Sequence, residues 1–145
     1  MITTSFFAQN NSDKIEIRQV IQTFFDALEQ KDSLLMKSVT HRESQIWRIY
    51  PDEDPPRYNM RFEKDDLPSM HSMSDVKEIG LDISIHIHRN IAVAWVPYEF
   101  YIEDKFSHCG VDIFNLFKEE NGWKIISAAY SVEKTKCDEL KAANN

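Results

Sequence analysis

Glycine, proline and cysteine are scarce in this sequence, and each shortage excludes a class of protein. Three glycines and five prolines among 145 residues argue against low-complexity and disordered segments. Two cysteines, Cys109 and Cys137, are too few and too far apart for a zinc site or a disulfide framework. We therefore expect two free thiols in a cytoplasmic protein.

Basic residues are also in the minority, because 17 Lys and Arg face 24 Asp and Glu, for a net charge of −7. A chain with this negative charge repels phosphate backbones, and it has no stripe of Lys and Arg that would attract them. No nucleic-acid partner is therefore expected. No apolar run approaches the ~20 residues of a membrane span, so no membrane partner is expected. Residues 1–13 lack the basic and apolar regions of a signal peptide.

What remains is the composition of a globular domain, with 42% hydrophobic and 28% charged residues. The length predicts one domain over residues 1–145, with an ordered core over about 12–133 and a loose tail after Glu133. Aromatic residues make up 12% of the chain, which suits a large half-enclosed cavity or a broad interface.

Two helices are predicted at the start of the chain. The first covers 12–30, where six apolar residues recur at helical spacing and Asp13 with Glu16 fits a capping box. The apolar stripe consists of Ile17, Val20, Ile21, Phe24, Phe25 and Leu28. Asp32 is expected to cap a second, short helix over 33–39.

Strands dominate the rest of the chain. A strand over 44–50 ends at the proline-rich and acidic residues 51–57, and the region 58–76 shows no clear pattern of strand or long helix. Asp66 is expected to cap a short helix there, with Pro68 in its first turn. From Ile79 onward the apolar period is two, which predicts a four-stranded antiparallel meander. Helices followed by strands indicate an α+β fold with the helices packed on one sheet face.

The segment from Trp95 to Cys137 carries a specific resemblance. Its pattern W-x-P-Y-E-F-Y, K-F-S-H-C-G-V, F-x-L, G-W-K-I and a late Cys is similar to bacterial proteins filed as SnoaL-like or “putative lumazine-binding”. The matching residues are Trp95, Pro97–Tyr101, Lys105–Val111, Phe114, Leu116, Gly122–Ile125 and Cys137. Asp104 departs from the pattern, since relatives place Gly in this turn, but Asp tolerates the left-handed conformation.

These proteins are part of the nuclear-transport-factor-2-like superfamily, and the resemblance implies their cone-shaped fold. A strongly bent sheet, antiparallel or mixed, would wrap the first helix and enclose a pocket. The resemblance also implies a homodimer formed through the outer sheet face. It implies no particular reaction, because the superfamily contains isomerases, dehydratases, polyketide cyclases and transport adaptors.

Two registers are open for the hairpin over 96–114, and they give different sites. With a plain two-residue turn at Glu103 and Asp104, Glu99 lies opposite His108 on a polar outer face that also carries Asp112. A one-residue bulge in the turn would reverse the relation between the two strands.

In the bulged register His108 and Asp112 join Tyr98 and Phe100 in the pocket, while Glu99 stays outside. His108 is then the best general acid or base, because its unperturbed pKa lies near neutrality. Asp112 would orient it or act as a base with a pKa raised by burial. Tyr98 would donate a hydrogen bond to a developing enolate oxygen.

Three further side chains complete the predicted site: Phe100, Trp47 and Phe24 would contact the ligand together with Tyr98. No cofactor and no metal are expected. His86 and His88 form an H-x-H pair, but alternation along a solvated strand face explains it. Cys109 is expected to be a packed thiol rather than a nucleophile, because no cationic cluster is evident to lower its pKa.

Two hypotheses for function follow. The first is a cofactor-free isomerase, dehydratase or cyclase that acts on a small hydrophobic or aromatic molecule. The second is a non-enzymatic ligand-binding protein or a dimeric adaptor, because the sequence contains no complete catalytic motif.

Overall fold

The computed structural model describes the backbone of residues 3–143 and the side chains of residues 8–142. The α-helices in this part are α1 (Thr3–Gln30), α2 (Ser33–Val39), α3 (Glu63–Asp66) and α4 (Cys137–Ala143), with a 3₁₀ helix at Leu67–Ser72. The strands are β1 (Thr40–Tyr50), β2 (Arg57–Phe62), β3 (Val76–Gly80), β4 (Ser84–His88), β5 (Ile91–Ile102), β6 (Lys105–Glu119) and β7 (Gly122–Ser131).

All of these strands form one seven-stranded sheet of order β2-β1-β7-β6-β5-β3, in which β4 also pairs with β5. β1 runs parallel to β7, and the other pairs are antiparallel. The meander from β4 to β7 is thus confirmed. The sheet is bent and mixed, and α1 packs on its concave face, which confirms the predicted α+β cone. The opposite, convex side is called the outer face below.

Helix α1 buries the apolar stripe that the sequence predicts. Ile17 and Ile21 have no exposed surface, and Phe24 and Phe25 are buried beside them. The Phe24 ring lies 5.3 Å from the ring of Phe114 on β6, measured between centroids. Each fully buried side chain of this size contributes roughly 1.5–3 kcal/mol to folding, so this contact anchors the helix to the sheet.

The predicted start of α1 is wrong, because the helix begins at Thr3 and Asp13 lies inside it. The Asp13 carboxylate accepts hydrogen bonds from Lys118 Nζ at 2.6 Å and from Trp123 Nε1 at 3.1 Å. Glu16 accepts one from the Trp123 backbone N–H at 3.2 Å. The two acids that resemble a capping box therefore join α1 to the β6–β7 hairpin.

Helix α2 begins as predicted. The Asp32 carboxylate accepts hydrogen bonds from the backbone N–H groups of Leu34 and Leu35 at 2.9 and 3.0 Å. An aspartate at this position satisfies donors that the first helical turn leaves unpaired, and it contributes about 1 kcal/mol.

The region between β1 and β4 contains two strands that the sequence pattern did not reveal. Residues 51–56 end β1 as predicted, but the chain then returns as β2, antiparallel to β1. Pro68 lies in the first turn of the 3₁₀ helix as expected. Asp66 makes no side-chain capping bond and pairs instead with Arg61 of β2. The remaining strand, β3, pairs with β5.

The expectations of two free thiols and of a loose tail after Glu133 are wrong. Cys109 on β6 and Cys137 form a disulfide. Cys109 also exchanges two backbone hydrogen bonds of 2.9 Å with Glu133, and Lys141 of α4 pairs with Glu99 at 2.5 Å. The cytoplasmic location expected from free thiols loses that support, because disulfides persist mainly in oxidising compartments.

None of the described helices combines the length and the apolar character needed to cross a membrane. The expectation that residues 1–13 are not a signal peptide falls partly outside the described residues, since residues 1 and 2 are not among them.

Candidate functional site

A cavity of about 590 Å³ lies between α1, the 3₁₀ helix and the concave face of the sheet. This volume suits a small organic molecule. Apolar side chains from α1 and the 3₁₀ helix form part of the wall, including Phe24 and Met70. The ionisable side chains that line it are Arg48, Tyr50, Arg61, Glu63, Asp66, Glu78, Tyr98, His108, Asp112, Tyr130 and Lys134.

The turn of the β5–β6 hairpin is the plain two-residue turn. Ile102 pairs with Lys105, and the intervening Glu103 and Asp104 have φ angles of 48° and 61°. Both residues are in the left-handed region, so Asp104 adopts the conformation expected for it. The turn itself therefore follows the first of the two registers.

A bulge follows within β6 and changes the register beyond the turn. Tyr101 pairs with Phe106, but its neighbour Phe100 pairs with His108. Ser107 is the extra residue, and one extra residue exchanges the two faces of the strand beyond it. The site therefore has the register that the sequence analysis attributes to a bulge, although the bulge lies in the strand rather than in the turn.

As a result, the structure brings together five of the six predicted site residues. His108, Asp112, Tyr98, Phe100 and Phe24 all line the cavity. Glu99, the alternative partner of His108, lies opposite Cys109. Its carboxylate accepts a hydrogen bond from the Tyr101 hydroxyl at 2.9 Å and pairs with Lys141 of α4.

Trp47 is not brought to the cavity. Its neighbours on β1, Ile46 and Arg48, line the cavity, and alternation along the strand places Trp47 on the outer face. Its ring lies 6.1 Å from that of Tyr58 on β2, measured between centroids. The sequence shows alternation along β1 but not which side of it faces α1.

His108 is a half-buried ring in an aromatic environment. It stacks on Phe100 with centroids 4.7 Å apart and an interplanar angle of 23°, and the Tyr98 ring meets its edge. Burial, together with the charges of Arg48 and Lys134, lowers the pKa of His108 to about 4. The imidazole is therefore neutral at pH 7, where a group with so low a pKa is a weak base.

Tyr98 is fully buried, and its hydroxyl donates a hydrogen bond to the Ser131 carbonyl oxygen at 2.5 Å. Burial, followed by the nearby Asp112 and Glu78 carboxyls, raises the pKa of Tyr98. Its O–H hydrogen is committed to the backbone of β7. Tyr98 therefore shapes the cavity wall, and the donor to an enolate oxygen has to come from another side chain.

Glu78 of β3 and Asp112 of β6 bring two carboxyls together in the cavity, near enough for each to shift the pKa of the other. Asp112 is 3% exposed, and Glu78 is half-buried. Burial raises the pKa of Glu78 to about 7, and burial with repulsion from Glu78 raises the pKa of Asp112 well above its usual value. The Asp112 Oδ2 atom is buried without a hydrogen-bond partner.

The sequence analysis missed Glu78 because it did not recognise β3. The strand is five residues long and lies at the end of the sheet order, where only Val76 is buried. Its sequence, Val-Lys-Glu-Ile-Gly, has no period-two alternation of apolar residues, so no local signal reveals the strand.

Arg48 lies in the cavity with phenols as its hydrogen-bond partners. Its Nε donates to the Tyr130 hydroxyl at 2.6 Å, and its Nη1 donates to the Tyr50 hydroxyl at 3.3 Å. No ion pair to Arg48 occurs within residues 8–142, whereas Arg61 in the same cavity is paired with Asp66.

Strand register aligns Arg48 with the carboxyl pair. Arg48 pairs with Tyr130 between β1 and β7, and Tyr130 pairs with Asp112 between β7 and β6. The three side chains therefore share one row on the concave face. Adjacent strands are ~4.8 Å apart, so about 10 Å separates the backbones of Arg48 and Asp112.

Glu63 of α3 is a second acidic group of the cavity that the sequence analysis missed. Its side chain is 6% exposed, and burial with the charge of Asp66 raises its pKa to about 7. The nearby guanidinium of Arg61 opposes this shift.

His86 and His88 lie on an exposed face of β4, away from the cavity. Within the described part of the chain, no three His, Cys, Asp or Glu side chains gather as a metal site would require.

Comparison with known structures identifies the fold. An NTF2-like protein with a cystatin-like fold from Novosphingobium aromaticivorans is 8% identical, with a TM-score of 0.75, and the match covers 97% of this chain and 96% of that one. An NTF2-like superfamily protein from Salmonella enterica is 18% identical, with a TM-score of 0.68, and the match covers 87% of this chain and 94% of that one. A protein described as a “putative dehydratase” from Streptomyces avermitilis is 11% identical, with a TM-score of 0.68, and the match covers 87% of this chain and 99% of that one.

A comparison with curated protein sequences found no match. The model of the family described as “Putative lumazine-binding” matches residues 12–131, which is most of the chain. The chain therefore belongs to this family, and its fold is that of the NTF2-like proteins.

Proposed function

We propose that this protein binds a small planar molecule in the cavity and transfers a proton at a carbon atom next to a carbonyl group. Glu78 would serve as the base and Asp112 as the acid. The observation that carries the proposal is the pair of neighbouring carboxyls in the cavity, one buried and one half-buried. Isomerisation and dehydration of carbonyl compounds both contain this step.

The two carboxyls have complementary roles. Two neighbouring carboxyls in a buried site do not both ionise, so at neutral pH one holds a proton and the other is a base. Asp112 Oδ2 is fully buried without a hydrogen-bond donor, which favours the protonated form of Asp112, so Glu78, the more exposed carboxyl, would be the base. The pKa of Glu78, about 7, suits transfer in both directions near neutrality.

When the substrate C–H bond breaks, its proton goes to the ionised carboxyl and its electron pair moves to the carbonyl oxygen. The protonated carboxyl of the pair would donate a hydrogen bond to the enolate oxygen. The proton then returns to another carbon in an isomerisation, or it leaves with a β-hydroxyl group as water in a dehydration.

In this proposal His108 binds the substrate and is not the base. It is neutral and stacked on Phe100, so the two rings offer a flat surface to a planar ligand. The family description names lumazine, a planar heterocycle with carbonyl groups, and one structural relative is described as a dehydratase. Both are compatible with a flat carbonyl compound in this cavity. Phe24 would contact the ligand from α1.

The test is proton exchange in heavy water. Aromatic ketones and keto acids are incubated with the protein in D₂O, and deuterium at the carbon next to the carbonyl is followed by NMR. We expect Asp112→Asn and Glu78→Gln to slow exchange by roughly 10²–10⁴-fold, the usual contribution of a general acid or base.

The matched control is Glu120→Gln, the same change at an exposed position, which should exchange at the wild-type rate. Catalysed exchange that survives in both cavity variants would contradict the assignment. Absence of exchange across the whole panel would contradict proton transfer as the function.

We also propose a homodimer formed through the outer face, where apolar side chains follow one row across the sheet. Strand pairing joins Met60, Trp47, Ala129, Ile113 and Trp95 in this row. Trp95 is 49% exposed, and Met60 is 39% exposed. Contiguous exposed apolar surface of this kind favours association with a second copy, whose identical row would cover it.

A further inference from the structure

We propose that the end of the cavity around Arg48 binds a carboxylate, so that the ligand is an aromatic acid rather than a neutral molecule. This inference rests on the proposed function for the position of the reacting carbon. The carboxylate would lie against Arg48, Tyr50, Tyr130 and Lys134, and the ring would lie along Phe100 and His108.

The first argument is an uncompensated positive charge. Arg48 is half-buried, and its bonded partners are two neutral phenols. The carboxyls of Glu78 and Asp112 neighbour each other in the cavity, and neither is ion-paired with Arg48 within residues 8–142. A partly buried cation without a counter-ion attracts an anion strongly, especially where little water screens it.

The second argument is the direction of the hydrogen bonds. Arg48 donates to the oxygen atoms of Tyr130 and Tyr50, so each phenol uses a lone pair and keeps its own O–H hydrogen to donate. The guanidinium and these two hydroxyls therefore present donors toward the cavity. A cluster of donors fits an oxyanion, and the planar guanidinium fork matches the two oxygens of a carboxylate.

The third argument is a second cation at the same end. Lys134 lines the cavity and, like Arg48, lies close enough to His108 to disfavour a charge on its ring. Lys134 has no ion pair among the side chains that the structure describes. Two unpaired cations thus converge on one neutral histidine, although the chain as a whole has a net charge of −7.

The dimensions fit an aromatic acid. The Arg48 and Asp112 backbones are about 10 Å apart in the shared row, which leaves room for a ring between a carboxylate at one end and a reacting carbon at the other. A cavity of about 590 Å³ accommodates one or two fused rings with substituents.

The test compares two probes of the same shape, 2-naphthoate and 2-naphthamide, by isothermal titration calorimetry with the wild-type protein. We expect the acid to bind roughly 10–100-fold more tightly, because charge-assisted hydrogen bonds to a carboxylate exceed those to a neutral amide. Arg48→Gln should reduce this preference to within about threefold, and Tyr50→Phe with Tyr130→Phe should reduce it partially.

The matched control is Arg42→Gln, the same change on the same strand at a side chain that is 87% exposed, and it should keep the preference. Thermal melts show whether each variant is folded. The variant that combines Tyr50→Phe with Tyr130→Phe tests the site while the guanidinium of Arg48 is retained. Equal binding of acid and amide to the wild type would overturn the proposal. So would an undiminished preference in folded Arg48→Gln.

A third probe, 2-naphthyl phosphate, distinguishes a carboxylate site from a phosphate site, and tighter binding of the phosphate would overturn the assignment to carboxylates.

The Asp112→Asn variant separates this inference from the proposed reaction. This variant should keep the preference for naphthoate, and if the wild-type protein shows the preference but exchanges no member of the ketone panel, the anion site stands and proton transfer fails. If the wild-type protein catalyses exchange but binds the acid and the amide equally, proton transfer stands and the anion site fails.

Discussion

Individual residues in this cavity have the chemistry that their surroundings allow rather than the chemistry typical of their side chain. Histidine is the usual acid–base group near neutral pH, yet burial beside Arg48 and Lys134 keeps His108 uncharged. Glutamate is usually ionised at pH 7, yet burial brings the pKa of Glu78 to about 7. The proposed acid and base are therefore the two carboxyls rather than the histidine.

The raised pKa of Glu78 predicts how stability depends on pH. In the unfolded chain Glu78 ionises near pH 4.5, and in the folded protein it ionises near 7. Between these values the folded state binds more protons, so the free energy of unfolding falls as pH rises. We expect Glu78 to account for a loss on the order of 1–2 kcal/mol across this interval, below the full linkage value because the side chain is only half-buried.

Urea unfolding of wild type and Glu78→Gln at pH 4.5 and pH 7.5 measures this loss. The variant should show a smaller decrease with pH, because glutamine does not titrate, while Glu120→Gln should behave as wild type. An identical pH dependence in Glu78→Gln and wild type would show that Glu78 ionises normally in the folded protein.

At the scale of elements, two short features decide what the β5–β6 hairpin presents to the cavity. The Ser107 bulge turns His108 and Asp112 inward. The segment 132–137 follows β7 and is called the strap. It is held to β6 by the backbone pairing of Glu133 with Cys109 and by the disulfide between Cys137 and Cys109. The strap includes Val132 and Lys134, which both line the cavity, so the disulfide supports one wall of the site.

Loss of the disulfide should lower both stability and ligand binding. Its cysteines are 28 residues apart in sequence, and closing a loop of this length in the unfolded chain is worth roughly 3–4 kcal/mol. We expect Cys109→Ser combined with Cys137→Ser to reduce the free energy of unfolding by about this amount. The measurement is urea unfolding without reductant.

The wild-type protein treated with a dithiol reductant serves as the comparison, because its free energy of unfolding should fall by a similar amount without any substitution. Unchanged stability in both samples would mean that the disulfide does not form in solution. Naphthoate affinity in the double variant should also fall, because Lys134 is no longer held at the cavity.

At the scale of the whole molecule, the two faces of the sheet have different roles. The concave face meets α1 and encloses the cavity, and the outer face carries the apolar row that ends at Trp95. α4 covers a different part of the outer face, through the disulfide and the ion pair of Lys141 with Glu99. The row around Trp95 thus remains open to a second copy.

Substitution of Trp95 by Glu should weaken the dimer by at least tenfold, because it places a charge in an apolar contact between two copies. Sedimentation equilibrium at micromolar concentration measures the change. Ile15→Glu is the matched control, since Ile15 is 60% exposed on α1, and it should leave association unaffected. A monomeric wild-type protein at these concentrations would refute the dimer.

Much of the fold and part of the site could be predicted from the sequence. The stripe of α1, the Asp32 cap and the four-stranded meander are local patterns, set by periodicity and capping chemistry, and all are present. The bulged register predicts His108 and Asp112 in the pocket, and both line the cavity. Glu78 was not predicted, because a short strand at the end of the sheet has too little periodic signal to reveal it.

The α+β class, the order of the main elements and the family could be predicted before folding was considered, because they depend on local periodicity and on a specific motif. The folded molecule was needed for the register beyond the Ser107 bulge, the partner of Cys109 and the meeting of Glu78 with Asp112. These depend on contacts between residues distant in sequence and on burial, which shifts the pKa of each cavity side chain. A local pattern contains neither the neighbours nor the solvent exposure from which such shifts arise.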